Sequence, residues 1–388
     1  MTLGWLPGLL ATLSCIGIAQ ALAGWVVTAR FARTTTPAPA VWEPVTVLKP
    51  LHGNETLLTE ALTTLFEQDY PAPWQIVFGV QDSADAAIDV VRALRSRYPA
   101  RDVALVVDPA AHGANPKVGN LINMFPAAKH AVLIIADSDV HARPDYLRHV
   151  VAALSRPRAG LVTTLYTGLP GHRGIAAWLG ATQVTHGFLP GALLARALGS
   201  RDCLGATMGL RRDTLAAIGG LEGLKDHLAD DNVLGRKVRA HGLDVVLAGT
   251  IVATTIPEPA LAPLWRHELR WARTIRALEP AGFAGSVLQY PIFWALLTVC
   301  ASGFAYWAWA LVLLVWAIRA LAATGIDRSL APMLAGLAFP CPVWLLPARD
   351  LLCAAEWVVS HAGRRVDWRG QSLEADTPPR FSQGPNAR

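Results

Sequence analysis

"AVLIIADSDV" (131–140) sets six apolar or small residues directly before Asp137-Ser138-Asp139. A β-branched run of that length fits a strand buried on both faces, as at the centre of a parallel sheet. Two carboxylates at its end lie beside the core, where an unpaired charge is costly. Such a pair calls for a cation or a catalytic duty. Outward from it, "VTVLK" (45–49), "QIVFGV" (75–80), "DVALVV" (102–107) and "GLVTTLY" (160–166) are similar short runs. Helical stretches such as "ETLLTEALTTLFEQ" (55–68) and "AAIDVVRALRSRY" (86–98) separate them. The alternation predicts an α/β domain over 45–260 with a mostly parallel, Rossmann-like sheet.

In such sheets ligands bind beyond the carboxyl ends of the strands. Three polar clusters fall there: "QDSAD" (81–85), "DPAAHGANPK" (108–117) and "DSD" (137–139). No GxGxxG and no GxxxxGK[ST] occurs, which argues against a dinucleotide or P-loop site. Asp137 and Asp139 are hard oxygen donors suited to Mg²⁺ or Mn²⁺ with a diphosphate completing the shell. A helix N-cap and the nucleophile strand of aspartate-dependent phosphatases are the alternatives to this favoured reading. Asp82 and Asp85 follow the second strand, as partners for a nucleobase or ribose or as ordinary caps. Lys117 is a cation for phosphate oxygens or a surface lysine in a turn. Asp230 and Asp231, in "HLADDNVLGRKVRAHG" (227–242), suit the positive end of a helix dipole and leave room for a general base.

The 388 residues carry a net charge of +5 and a mean hydropathy of +0.34, too apolar for an ordinary soluble enzyme. A water-soluble domain held on a membrane is expected, with no nucleic-acid motif. Residues 1–30 read as a transmembrane anchor: 3–29 contain no charged side chain, and Arg30 and Arg33 follow at once. The positive-inside rule then puts the domain in the cytoplasm. The five cysteines show no paired spacing, which suits a reducing compartment. Pro-rich 31–44 is a linker. "LWRHELRWARTIRALEP" (264–280), within an interfacial helix over 261–285, sets Arg266, Arg270 and Arg273 near Trp265 and Trp271. It reads as an amphipathic surface helix, an anion clamp, or both. Residues 286–324 form an apolar block twice one span, expected as a hairpin turning near Ser302-Gly303. Residues 325–363, broken by prolines, are expected to re-enter the membrane or lie on it, and 364–388 to form a cytoplasmic tail. The apolar stretch 174–199 is either core helix or a segment dipping into the interface.

Together "VLKPLHG" (47–53), "EQDYP" (67–71), "VQDSADAAIDV" (80–90), "NPKVGNL" (115–121), "DSDV", "LADDN" (228–232) and Arg270-Trp271 resemble the ceramide glucosyltransferase family of membrane-anchored GT-A glycosyltransferases. The resemblance implies a GT-A-type fold with membrane segments at both ends. It implies a UDP-sugar donor, a membrane lipid acceptor, and Mg²⁺ or Mn²⁺. Asp82 would lie near the uracil, with Lys49, Lys117 and Asp137 at the donor and Asp139 as metal ligand. Asp231 would be the catalytic base, and Arg270-Trp271 the end of a (Q/R)xxRW motif whose first position here is His267. Among bacterial relatives the motifs look most like hopanoid biosynthesis-associated glycosyltransferases. That narrower likeness implies transfer of N-acetylglucosamine to bacteriohopanetetrol at the bacterial inner membrane by a multi-pass protein. The close alternative is ceramide glucosylation. A phosphatase or a non-catalytic membrane scaffold are the readings from other classes.

Overall fold

The computed structural model describes residues 4–334, 336–363, 365–368 and 371–374. Of the tail expected over 364–388, Arg365–Trp368 and Gln371–Glu374 pair as two antiparallel strands, and 375–388 lie outside the described residues. The chain opens with one long helix, α1 (Leu6–Ala32). It then enters an α/β domain built on β1 (Val45–Pro50), β2 (Trp74–Val80), β3 (Asp102–Val107), β4 (Val132–Ala136), β5 (Val140–His141), β6 (Ala159–Pro170), β7 (Thr207–Arg211) and β8 (Asp244–Ile256). These form one sheet in the order β3-β2-β1-β4-β7-β6-β8-β5. β1 pairs in parallel with both β2 and β4. The chain thus builds outward from β1 to β3, then returns to β1's other side, making a switch point between β1 and β4. β7 runs antiparallel to β4 and β6, while β6 and β8 are parallel.

Every residue of β1 and β4 is buried, as strands covered on both faces must be. One face, with Val45 and Val47 of β1, packs on α2 (Leu58–Phe66), α3 (Ala87–Arg97) and α5 (Tyr146–Leu154). The other, with Leu48, packs on α4 (Pro116–Met124), α8 (Arg212–Ala217) and α9 (Asp230–Ala240). The alternation is the period-2 placement a strand imposes.

Between β6 and β7 lies the apolar stretch expected as core or interfacial helix. It forms α6 (Ile175–Gln183) and α7 (Leu189–Ala197), joined without a break by a π-helical turn at Val184–Phe188. After β8 come α10 (Leu261–Leu278), α11 (Pro280–Ser286), α12 (Pro291–Ala301), α13 (Tyr306–Leu334) and α14 (Leu346–Ser360). The interfacial helix expected over 261–285 is therefore two helices. Pro280 disfavours helical backbone at Glu279, and α10 stops there.

Among the described residues α1 and α13 are long and apolar enough to cross a membrane. A third candidate is the bent pair 280–289 and 291–301, at 65°. The boundary expected at 324 is absent, because α13 continues through Asp327 and Arg328 to Leu334. The partner arm is short: α12 has 11 residues, about 16 Å of rise against a hydrocarbon core of about 30 Å. Small residues let these helices approach. A Cβ on Gly325 of α13 would lie 2.1 Å from the Trp25 ring of α1, so only glycine fits that crossing.

Candidate active site

The switch point fixes where polar groups gather. Lys49 is the next-to-last residue of β1; its side chain is fully buried, and its Nζ donates to the Val140 carbonyl at 3.3 Å. Burial lowers its pKa to about 8, against the opposing pull of Asp139, Asp137 and Glu55. Next door, β4 delivers Asp137-Ser138-Asp139. Thr254 of β8 donates its hydroxyl to Asp139, and Ser138 donates to Glu55. Burial first, and the neighbouring Asp137 carboxylate second, push Asp139 up to about 6.

Lys117 is not the surface lysine one reading allowed. Asn115 caps α4, its Oδ1 accepting from Val118 N at 3.1 Å, and Pro116 follows at the first helical position. The Asn115 amide also donates to the His227 carbonyl at 2.7 Å, tying this helix start to the loop before α9. Lys117, in the first turn, is thereby aimed inward. Its Nζ lies 2.7 Å from Asp137 Oδ1 and 3.5 Å from Asp230 Oδ2. Burial works to lower its pKa, but the Asp137 and Asp230 carboxylates outweigh it and hold the ammonium above its ordinary value.

Asp231 is the next residue of α9. It accepts from Asn232 N at 2.7 Å, and burial followed by the Asp230 charge pushes it up to about 7. Gly205 makes room for it: a Cβ there would stand 3.0 Å from Asp231 Oδ2. The adjacent Ala206 carbonyl accepts from Asp137 N at 3.3 Å. Asp137, Asp139, Lys49, Lys117, Asp230 and Asp231, spread over 183 positions of sequence, thus form one cluster.

Asp82 stands apart from it. It is exposed and accepts from Ala84 N at 2.9 Å. β2 is two strands from β4, which puts it about 10 Å away across the strand ends. Its neighbour Asp85 has the structural duty. It accepts from Gly53 N at 2.9 Å and Ala87 N at 2.8 Å, fastening the loop after β1 to the start of α3.

Arg270 and Trp271 lie half-buried on α10. Trp271 packs in an apolar cluster with Leu264, Trp178 and Tyr166. His267 Nδ1 pairs with Glu258 Oε1 at 2.5 Å, and its ring meets Trp271 edge-on at 4.3 Å. Tyr166, within β6, went unnoticed in the sequence. Burial and then Asp231, Asp137 and Asp139 raise its hydroxyl well above its ordinary value, and its ring packs in the α10 cluster. Glu55 and Thr254 were missed too. The one available signal for Tyr166 was an aromatic residue closing the apolar run 160–166.

A model of glycosyl transferase family 21 matches residues 9–380. Over 128 residues the chain is 35% identical to a ceramide glucosyltransferase of Komagataella phaffii, covering 32% of this chain and 25% of the relative. Over 242 residues it is 24% identical to ceramide glucosyltransferase 1 of Caenorhabditis elegans, covering 61% of this chain and 50% of the relative. The chain thus spans a quarter to a half of the length of these curated relatives. A mannosyltransferase from Pyrobaculum calidifontis, solved in complex with GDP-Man and Mn²⁺, superposes with a TM-score of 0.51 at 19% identity, covering 91% of this chain and 99% of that one. That likeness is one of fold, and the fold is GT-A-type.

Proposed function

The chain belongs to glycosyl transferase family 21, and on that premise we propose that it moves a sugar from a UDP donor to a hydroxyl of a membrane lipid, with inversion. The observation that carries the reading is the single acid cluster at the β1/β4 switch point. It sets a pair of donor-side carboxylates and a near-neutral one beside each other. The acceptor oxygen attacks the anomeric carbon as the bond to the diphosphate breaks, and its proton passes to Asp231. A carboxylate with a pKa of about 7 is poised for that transfer at neutral pH. Lys117 holds Asp137 and Asp230 together and limits the negative charge around the base. Asp82 reaches the uracil, Lys49 balances the acids from beneath, and Arg270, backed by Trp271, faces the leaving diphosphate.

The donor set fits a hard divalent cation. Asp139 is buried against Asp137, which raises its pKa, and a cation there would relieve both. Among the described residues no three His, Cys, Asp or Glu side chains group as a metal cage. An ion such as Mg²⁺ or Mn²⁺ takes one or two carboxylates and completes its shell from substrate phosphate. Asp139, with Asp137 beside it, would hold the ion, which when bound supplies positive charge against the UDP leaving group.

Of two acceptors, ceramide with UDP-glucose has the support of the curated relatives. Bacteriohopanetetrol with UDP-N-acetylglucosamine rests on the resemblance of the chain's motifs to hopanoid biosynthesis-associated glycosyltransferases. In either case the domain over 45–260 would face the cytoplasm of a bacterial inner membrane, with Arg30 and Arg33 on that side. The test is mass spectrometry of lipid products. Each UDP-sugar is offered with each lipid, with Mg²⁺ or with EDTA. A glycosylated lipid lost with EDTA is expected. No transfer with any pair, from protein that still binds UDP, overturns the reading.

A further inference from the structure

The two long apolar helices meet tightly at one point and leave open space beside it. Trp25 of α1 packs on Gly325 of α13, where a Cβ would lie 2.1 Å from the ring. Next to that crossing the helices flank a groove of about 630 Å³, within the range of about 300–1,000 Å³ usual for small-molecule sites. Its walls include Trp25, Val26, Arg30 and Arg33 from the α1 side and Leu321 and Arg328 from α13. Arg30 and Arg328 follow the crossing by about 7.5 and 4.5 Å of helix rise.

The charge in this groove is of one sign. Among the described residues it is lined by three arginines and no carboxylate. The nearest acid in sequence, Asp327, is engaged elsewhere: it pairs with His186 Nε2 at 2.7 Å and accepts from Cys341 N at 2.8 Å. All three arginines are exposed. Like charges gathered in one recess repel one another until an anion joins them. The guanidinium fork matches a phosphate group best.

Apolar surface continues from the charge. Val26 and Leu321, one on each helix, are 45% and 55% exposed, and both helices are long and apolar enough to cross a membrane. An occupant with an anionic head and a hydrocarbon tail meets both parts of the groove, whereas inorganic phosphate meets only the first. The groove also touches the catalytic domain. Arg143, four residues past Asp139, donates to the carbonyl of Pro332, which is part of the lining.

We propose that this groove binds one acidic phospholipid, with its phosphate among Arg30, Arg33 and Arg328 and its chains along Val26 and Leu321. Basic recesses between membrane helices are suited to such head groups. The site is separate from the strand-end acids, and the inference does not depend on which lipid is glycosylated. Arginines that only anchor a helix end at the membrane surface need no groove, and that difference can be measured.

Native mass spectrometry of the full chain in detergent tests it, with dioleoyl phosphatidylglycerol, dioleoyl phosphatidylcholine or inorganic phosphate added. The wild type should keep one phosphatidylglycerol at collision energies that strip phosphatidylcholine, and excess phosphate should not displace it. Arg328→Gln removes one cation, leaves Arg30 and Arg33 to orient α1, and should lower the bound fraction about fivefold. Ala29, another lining residue, allows the complementary change. Ala29→Phe keeps all three charges, fills the groove, and should lower binding at least as much. Both variants should melt as the wild type does, and the wild-type comparison stands even if one fails to fold. Equal retention of the two lipids by the wild type overturns the proposal. Displacement by phosphate also overturns it, since the groove would then be a site for the free anion. So does unchanged binding in either folded variant: a loss confined to Arg328→Gln would mean diffuse surface charge rather than a built site.

Discussion

Two clusters of buried charge differ in one respect. At the strand ends, Asp137, Asp139, Asp230 and Asp231 crowd around Lys49 and Lys117, so carboxylates outnumber ammonium groups. On the membrane side carboxylates are in excess too, yet each has a partner within 4.0 Å: Glu268 and Glu356 share Arg349, Asp350 faces Arg319, and Asp327 faces the His186 ring. That matched cluster secures α10 and α14 to the core. At the strand ends Asp139 and Asp231 have no such cation partner among the described residues, and burial first, with a neighbouring carboxylate second, pushes them up to about 6 and 7. Unmatched charge is a binding or proton-transfer site, whereas matched charge is architecture.

The sharpest break in that comparison is Asp231→Asn. Amide replaces base at nearly the same size, so turnover should fall about 10³-fold, within the range for a lost general base. Folding should hold or improve, because a repulsion with Asp230 goes. Lipid-product formation and a melting curve on the same preparation check both halves, and full turnover in a folded variant removes Asp231 from the role. Arg349→Met should do the reverse. It strands Glu268 and Glu356, and losing one partner of a buried pair costs about 3–5 kcal/mol of stability. A lowered melting temperature with UDP binding retained is expected. Unchanged melting would show that this cluster holds nothing together. Asp139→Asn should reduce turnover about 10²-fold and shift the divalent-ion titration to higher concentration. An unshifted titration would move the ion to other ligands.

What was legible in the sequence follows from range. The runs at 45–49, 75–80, 102–107, 131–136 and 160–166 all became strands, because hydrophobic periodicity is local and central strands write it strongly. The acids at strand ends were visible for the same reason. Their partners were not: Thr254 reaches Asp139 across 115 positions, and His186 reaches Asp327 across 141. Nothing in spacing marks such pairs. Lys117 shows the limit well, since Asn-Pro-Lys read equally as a turn with a surface charge. Only the fold of the 225–227 loop over Asn115 turns it inward. The membrane helices were mis-bounded because composition does not say which of two apolar arms takes the length.

The smallest effect separates the clusters most directly, because it needs no substitution. Asp231 must be ionised to accept a proton, so kcat/KM should rise with pH and level off above about 7, losing about tenfold per unit below it. Stability in metal-free protein should run the other way. The folded state binds the Asp231 and Asp139 protons more tightly than the unfolded chain, whose carboxyls titrate near 3.8. Raising the pH therefore takes stability away between about 4 and 7, and nothing further is lost above. Mn²⁺ should flatten that fall by matching the charge, as should Asp231→Asn in part. Melting curves across pH with and without Mn²⁺ measure it. A slope indifferent to both the ion and Asp231→Asn would mean that the strand-end cluster is as balanced as the membrane-side one, and that its charge is not held for a ligand.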